Sequence, residues 1–165
     1  MSHFAAALVR TERGWAGSEL DLGDLEDLEG VAEALRDLVG DGDGPALLLL
    51  EEDDEYLAVV RVDGGSGSLE EPRVFLSDGR APLSSGLAAM LWEDDADVAE
   101  DDDEDGTTPV VATPVGDTAV LADLGTPADD LLELCAEEGL LPGDVLSALA
   151  ERAGAADVLE SLREG

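Results

Sequence analysis

The stretch ALLLLEEDDEYLAVVRV, Ala46 to Val62, decides the fold. Leu47 to Leu50 is a continuous apolar run, short for a helix and followed at once by charge. Such a run suits a strand buried on both faces. Beyond the acids, Tyr56, Ala58, Val60 and Val62 fall on one face of a second strand. Leu57, Val59 and Arg61 fall on the other. Val59, Val60 and Val62 are β-branched and suit a pleated surface. Between the two strands lie Glu51, Glu52, Asp53, Asp54 and Glu55. Each carboxylate buried without a partner would cost several kcal/mol. The reading therefore places all five in water, as the solvated tip of a hairpin.

Working outward, the chain before the hairpin supplies another. His3 to Arg10 reads as a strand, Thr11 to Gly14 as a tight turn, and Trp15 to Leu20 as the returning strand. The period then changes. Leu25, Leu28, Val31, Ala32, Leu35, Leu38 and Val39 recur at spacings of three and four, the signature of an amphipathic helix. Asp24 is its expected N-cap and Gly40 its stop. After the central hairpin, Asp63 to Ser68 is a glycine-rich turn, Arg73 to Ser77 a fifth strand, and Ser85 to Trp92 a short helix. The order through Trp92 is ββαβββα. The expected class is α+β, with a five-stranded antiparallel sheet over residues 1–92. That order resembles longin and roadblock domains, in which the first helix crosses one sheet face.

Glu93 to Asp105 breaks the pattern, with ten acids among its thirteen residues. It cannot bury enough apolar surface to order itself, so residues 93–108 are expected to form a disordered acidic loop. Residues 109–165 then form a C-terminal extension, mainly helical. Val110 to Leu124 reads as a small hairpin or extended linker around Gly116-Asp117. Thr126 is the expected N-cap of a helix, with Pro127 at its first position and Asp129 completing a capping box. Gly139 ends that helix and Pro142 opens another, carrying Val145, Leu146, Leu149 and Ala150 inward. Gly154 separates it from a last helical stretch, Ala155 to Arg163.

Composition narrows the function. The 165 residues carry 8 basic and 42 acidic side chains, a net charge of −34, and every basic residue is Arg. Binding to nucleic acid rests on cationic contacts to phosphate, and binding to anionic membranes rests on the same attraction. Both are disfavoured, and basic surfaces or cations are the complementary partners. Apolar content is 44%, enough for a real core. The acid excess also fits two readings without a partner: a GC-rich genome, which disfavours Lys, or adaptation to high salt. One cysteine, Cys135, forbids an intrachain disulfide and agrees with a reducing compartment. The N-terminus lacks the basic region of a signal peptide. No apolar stretch approaches the ~20 residues needed to span a bilayer. A cytoplasmic protein is expected.

Motifs for chemistry fail one by one. A zinc centre needs clustered His and Cys, but the chain holds one of each, His3 and Cys135. The H-x-E and P-C-x-x-C pairing of zinc deaminases does not occur. His3 reads as a terminal strand residue and Cys135 as a small core residue. Asp41-x-Asp43 with Glu52 imitates a calcium loop, but Pro45 and Ala46 stand where a ligand and the turn glycine belong. No glycine pattern cradles phosphate, and no Ser sits in G-x-S-x-G. The helix pair joined at Leu140-Leu-Pro-Gly143 offers Arg152 beside Asp144 and Glu151, which is no phosphate-facing surface. No catalytic, cofactor-binding or metal-ligating residue is assigned, and no cofactor is implied.

Several segments together resemble a known family. FAAALVRTERGWAGSELDL, LLLLEEDDEYLAVVRVDG with PRVFLSD, and PVGDTAVLADLGTPADDLLELCAEEGLLPGDVLSALAERAG are similar to the actinobacterial tRNA adenosine deaminase-associated proteins. The likeness spans most of the chain outside the acidic tract and carries no functional residues with it. It implies a GC-rich origin for the composition and an accessory role beside a tRNA adenosine deaminase. The expectation is thus a non-catalytic interaction protein whose partner is that deaminase or another protein with a basic surface. The competing readings are a carboxylate-based, divalent-cation-dependent enzyme or cation-binding protein, and a salt-adapted domain without a specific partner.

Overall fold

A computed structural model describes residues 3–40, 42, 45–52, 55–64, 72–79, 81–92, 114–137 and 139–164. Asp41, Asp43, Asp53, Asp54, Arg80 and the acidic tract 93–108 lie outside the described residues. So does the expectation of a disordered loop over residues 93–108.

The central hairpin forms as its alternation requires. Strand β3 (Ala46–Glu52) pairs antiparallel with β4 (Tyr56–Val62), Leu49 opposite Val59. Strand β1 (His3–Thr11) lies along the other side of β3, and β2 (Gly14–Glu19) folds back along β1. Strand β5 (Arg73–Leu76) pairs with β4. The expectation of five strands requires one correction. Val115–Gly116 adds a sixth, β6, beside β5, giving the order β2-β1-β3-β4-β5-β6. Val110 to Leu124 therefore yields no hairpin of its own among its described residues. Gly116 is needed there because a Cβ would sit 2.2 Å from the Val74 carbonyl oxygen, at φ +99°.

Both faces of the sheet are covered, which is why β3 and β4 read as nearly unbroken apolar runs. On the first face, Ala5, Ala7, Leu48, Leu50, Ala58 and Val60 meet helix α1 (Leu28–Val39) and the short α2 (Ala81–Ser84) and α3 (Gly86–Leu91). Asp27, not Asp24, caps α1, accepting from the Gly30 amide at 2.9 Å. The chain first makes a 3-10 turn at Leu22–Asp24 that buries Leu22. That burial draws the preceding residues out of the helix.

On the second face, Leu8, Leu47, Leu49, Leu57, Val59 and Phe75 meet the C-terminal segment. It runs through a 3-10 turn (Ala122–Leu124), then α4 (Ala128–Ala136), α5 (Pro142–Ala153) and α6 (Ala156–Glu164). Thr126 is not the cap of α4. Pro127 holds that position, and Thr126 is fully buried with its hydroxyl unpartnered among the described residues. Gly125, in the left-handed region at φ +103°, turns the chain so that Thr126 is buried. Helix α6 lies over β2 and β1, and Gly17 makes the approach close. A Cβ there would meet Val158 Cγ1 at 2.4 Å. Trp15 closes the same seam, its indole N–H donating to the Ala153 carbonyl at 2.9 Å. Cutting any of the wholly buried leucines of β3 to Ala would cost about 2–5 kcal/mol.

Candidate functional site

The sheet faces are closed by helices, so the polar residues on them act first on the fold. Arg61 is 4% exposed on the second face of β4. Alternation puts it there, and its partners come from the end of β4 and from the segment around the 3-10 turn at Ala122–Leu124. It donates to Asp123 Oδ1 and Oδ2 at 2.5 and 2.9 Å, to the Val120 carbonyl at 2.9 Å, and to Asp63 Oδ1 at 3.0 Å. Arg73 extends the chain of charges to Asp63 and Asp117. The hydrogen bond from Arg61 holds the Asp123 carboxyl below the ordinary range, and the carboxylate in turn raises the guanidinium. A buried guanidinium satisfied on every side has nothing left to offer a substrate.

The acidic tip also behaves differently from its expectation. Strand alternation continues through Glu52, so Glu51 turns to the second face and Glu52 to the first. Glu51 is 13% exposed, pairs with Arg163 of α6 at 3.0 Å, and abuts Gly143 at the start of α5. Arg163 also stacks over the Phe4 ring, 4.6 Å from its centroid. Glu52 accepts hydrogen bonds from the Tyr56 hydroxyl at 2.8 Å and from Ser85 Oγ. Ser85 caps α3 by accepting from the Ala88 amide at 3.2 Å. Glu51 and Glu52 are thus half-buried anchors. Of the five acids, Glu55 is exposed, and Asp53 and Asp54 lie outside the described residues. The missed signal was Arg163, more than a hundred residues away, which no local pattern links to Glu51.

His3 is exposed at the outer end of β1, opposite Glu52 in the register. Cys135 lies half-buried against the second core, where desolvation pushes its thiol up to about 11. Among the described residues no group of three or more His, Cys, Asp and Glu could hold a metal ion. No described helix is long and apolar enough to cross a membrane.

What remains open is a corner. Leu132, Leu140 and Leu141 are 37, 37 and 51% exposed, three of the four exposed large apolar side chains among the described residues. They belong to α4 and to the connection into α5. That connection is tied down. Asp144 Oδ2 accepts from the Leu141 amide at 3.1 Å while the Asp144 amide donates to the Leu141 carbonyl at 2.9 Å. Residues 128–151 carry seven acids and no basic residue. Asp129, Glu133, Glu137 and Asp144 are all exposed. Leu140 and Leu141 thus stand exposed at a fixed turn that is flanked in sequence by carboxylates.

A family model for Rv3753c-like tRNA adenosine deaminase-associated proteins matches residues 3–156. The chain belongs to this family. The match runs from β1 into α6 and so takes in both faces of the sheet and the leucine corner. No curated protein and no solved structure matches the chain. The family's description names an association with a deaminase and assigns no reaction to the family itself.

Proposed function

We propose that this protein is a non-catalytic, cytoplasmic accessory protein that docks on a tRNA adenosine deaminase. The observation that carries this reading is the leucine corner: Leu132, Leu140 and Leu141 exposed on α4 and the tied turn into α5, among acids with no intervening base. A deaminase acting on tRNA must present basic surface to phosphate. An acidic protein of net charge −34 is complementary to such a surface, and exposed leucines add the apolar contact that charge alone lacks. By the same charge, the protein itself does not bind nucleic acid or an anionic membrane.

Mixing the two purified proteins tests the reading. A complex should form at low salt and weaken as salt rises. Leu140→Ser with Leu141→Ser should weaken it further without unfolding the chain. Absence of a complex at every salt concentration would overturn physical docking and leave the association to something other than contact.

A further inference from the structure

Strand β2 closes one side of the sheet, and none of the described strands pairs with its outer side. Leu20 donates to the Ala5 carbonyl, so by antiparallel alternation Gly14, Ala16 and Ser18 turn their backbone groups toward β1. Trp15, Gly17 and Glu19 turn theirs outward. None of the described residues bonds to those outward groups. Exposed edges are ordinarily blunted by Lys, Pro, a bulge or a covering loop. Gly14 to Glu19 contains no Lys or Pro, and its register with β1 runs unbroken. In a chain of 42 acids, Gly14 to Ser18 carries no charge at all.

Opposite charges flank the strand. Arg13 stands at its start and Glu19 at its finish, both exposed and neither in an ion pair among the described residues. An antiparallel copy of the same strand reverses that order. We propose that β2 pairs with β2 of a second copy about a two-fold axis at Ala16, joining two sheets into one. This register places Arg13 opposite Glu19 of the second copy twice over. It places Trp15 opposite Gly17, so no side chain of the second copy crowds Trp15, which keeps its bond to Ala153 of its own chain. It also turns the outward amides and carbonyls of Trp15 and Gly17 toward each other. Ala16 meets itself, and Gly14 meets Ser18, so small residues line the closest approach. The contact is isologous and closes on itself.

Two chains of net charge −34 repel, so this association strengthens as salt screens them. Docking on a basic partner weakens over the same range, and the inference stands or falls independently of the deaminase reading. Sedimentation of the full chain across salt concentrations should show a monomer at low salt and a dimer at high salt. At the lowest salt that supports the dimer, Arg13→Glu and Glu19→Arg should each weaken it several-fold, since each sets like charges opposite each other twice. Combining R13E with E19R should restore it. All three changes are exposed and should leave the thermal transition in place. A monomer at every salt concentration, or a dimer indifferent to the single changes, would overturn the proposal.

Discussion

Arg61 on β4 and Asp123 in the 3-10 turn of the C-terminal segment form a two-pronged ion pair across 62 residues of chain. The guanidinium is buried, whereas Asp123 is 63% exposed. The two partners therefore have different fates when separated. Asp123→Asn leaves Arg61 with Asp63 and the Val120 carbonyl, and should cost about 1–2 kcal/mol in urea unfolding. Removing Asp63 as well strands a buried charge, and the double change should cost about 3–5 kcal/mol. Arg61→Met leaves two accessible carboxylates and the buried Val120 carbonyl behind, and should cost less than that double change because no buried charge is stranded.

The same pair sets a pH dependence. The folded Asp123 carboxyl titrates below its ordinary 3.8. Its contribution is complete above that value and is lost as pH falls through the lowered one. Because Asp123 is largely exposed, solvent screens the effect. Unfolding midpoints measured from neutral to acid pH should fall less steeply in the Asn variant than in the parent.

Thr126 offers a stabilising change. Its hydroxyl is buried without a partner among the described residues, whereas its methyl group packs. Thr126→Val keeps the shape and removes the unsatisfied oxygen, and should gain about 1 kcal/mol. A loss in chemical denaturation would show that the hydroxyl is bonded in solution.

Cys135 should be slow to react. With its thiol pushed up to about 11 by burial, little thiolate exists near neutral pH. A disulfide reagent at pH 8 should label the native chain far more slowly than the denatured one. Equal rates would place the thiol in water.

Salt acts on the whole chain. Compaction crowds 34 excess negative charges, and screening relieves their repulsion. The thermal midpoint should rise between low and moderate salt, and magnesium should act no more specifically than its ionic strength. A saturable magnesium effect in calorimetry would instead reveal a bound ion.

Much of the first sheet face was legible because its signals are local. The alternation Tyr56, Ala58, Val60, Val62 and the spacing Val31, Ala32, Leu35 each state which side is apolar, and both hold in the packing. Pro142 and Gly154 likewise mark the bounds of α5. What stayed hidden depends on distant partners. Glu51 reads as solvated until Arg163 arrives, and Val115–Gly116 is too short to announce a strand without β5 beside it. Thr126 carries every local mark of a cap, yet tertiary burial overrides it. The leucine corner was invisible for another reason: exposure of an apolar residue is a property of what fails to cover it.

Among the described residues the second face of the sheet is covered by residues from Val120 onward, and Trp15 finds its acceptor 138 residues later, at Ala153. A ribosome thus releases Leu47, Leu49, Leu57, Val59 and Phe75 well before Leu146, Leu149 and Leu159 that shelter them. The nascent chain spends that interval with a bare apolar sheet, which invites chaperone capture. A stop codon between Trp92 and α5 would make the interval permanent, so truncated products should be cleared or aggregate while the full-length chain does neither.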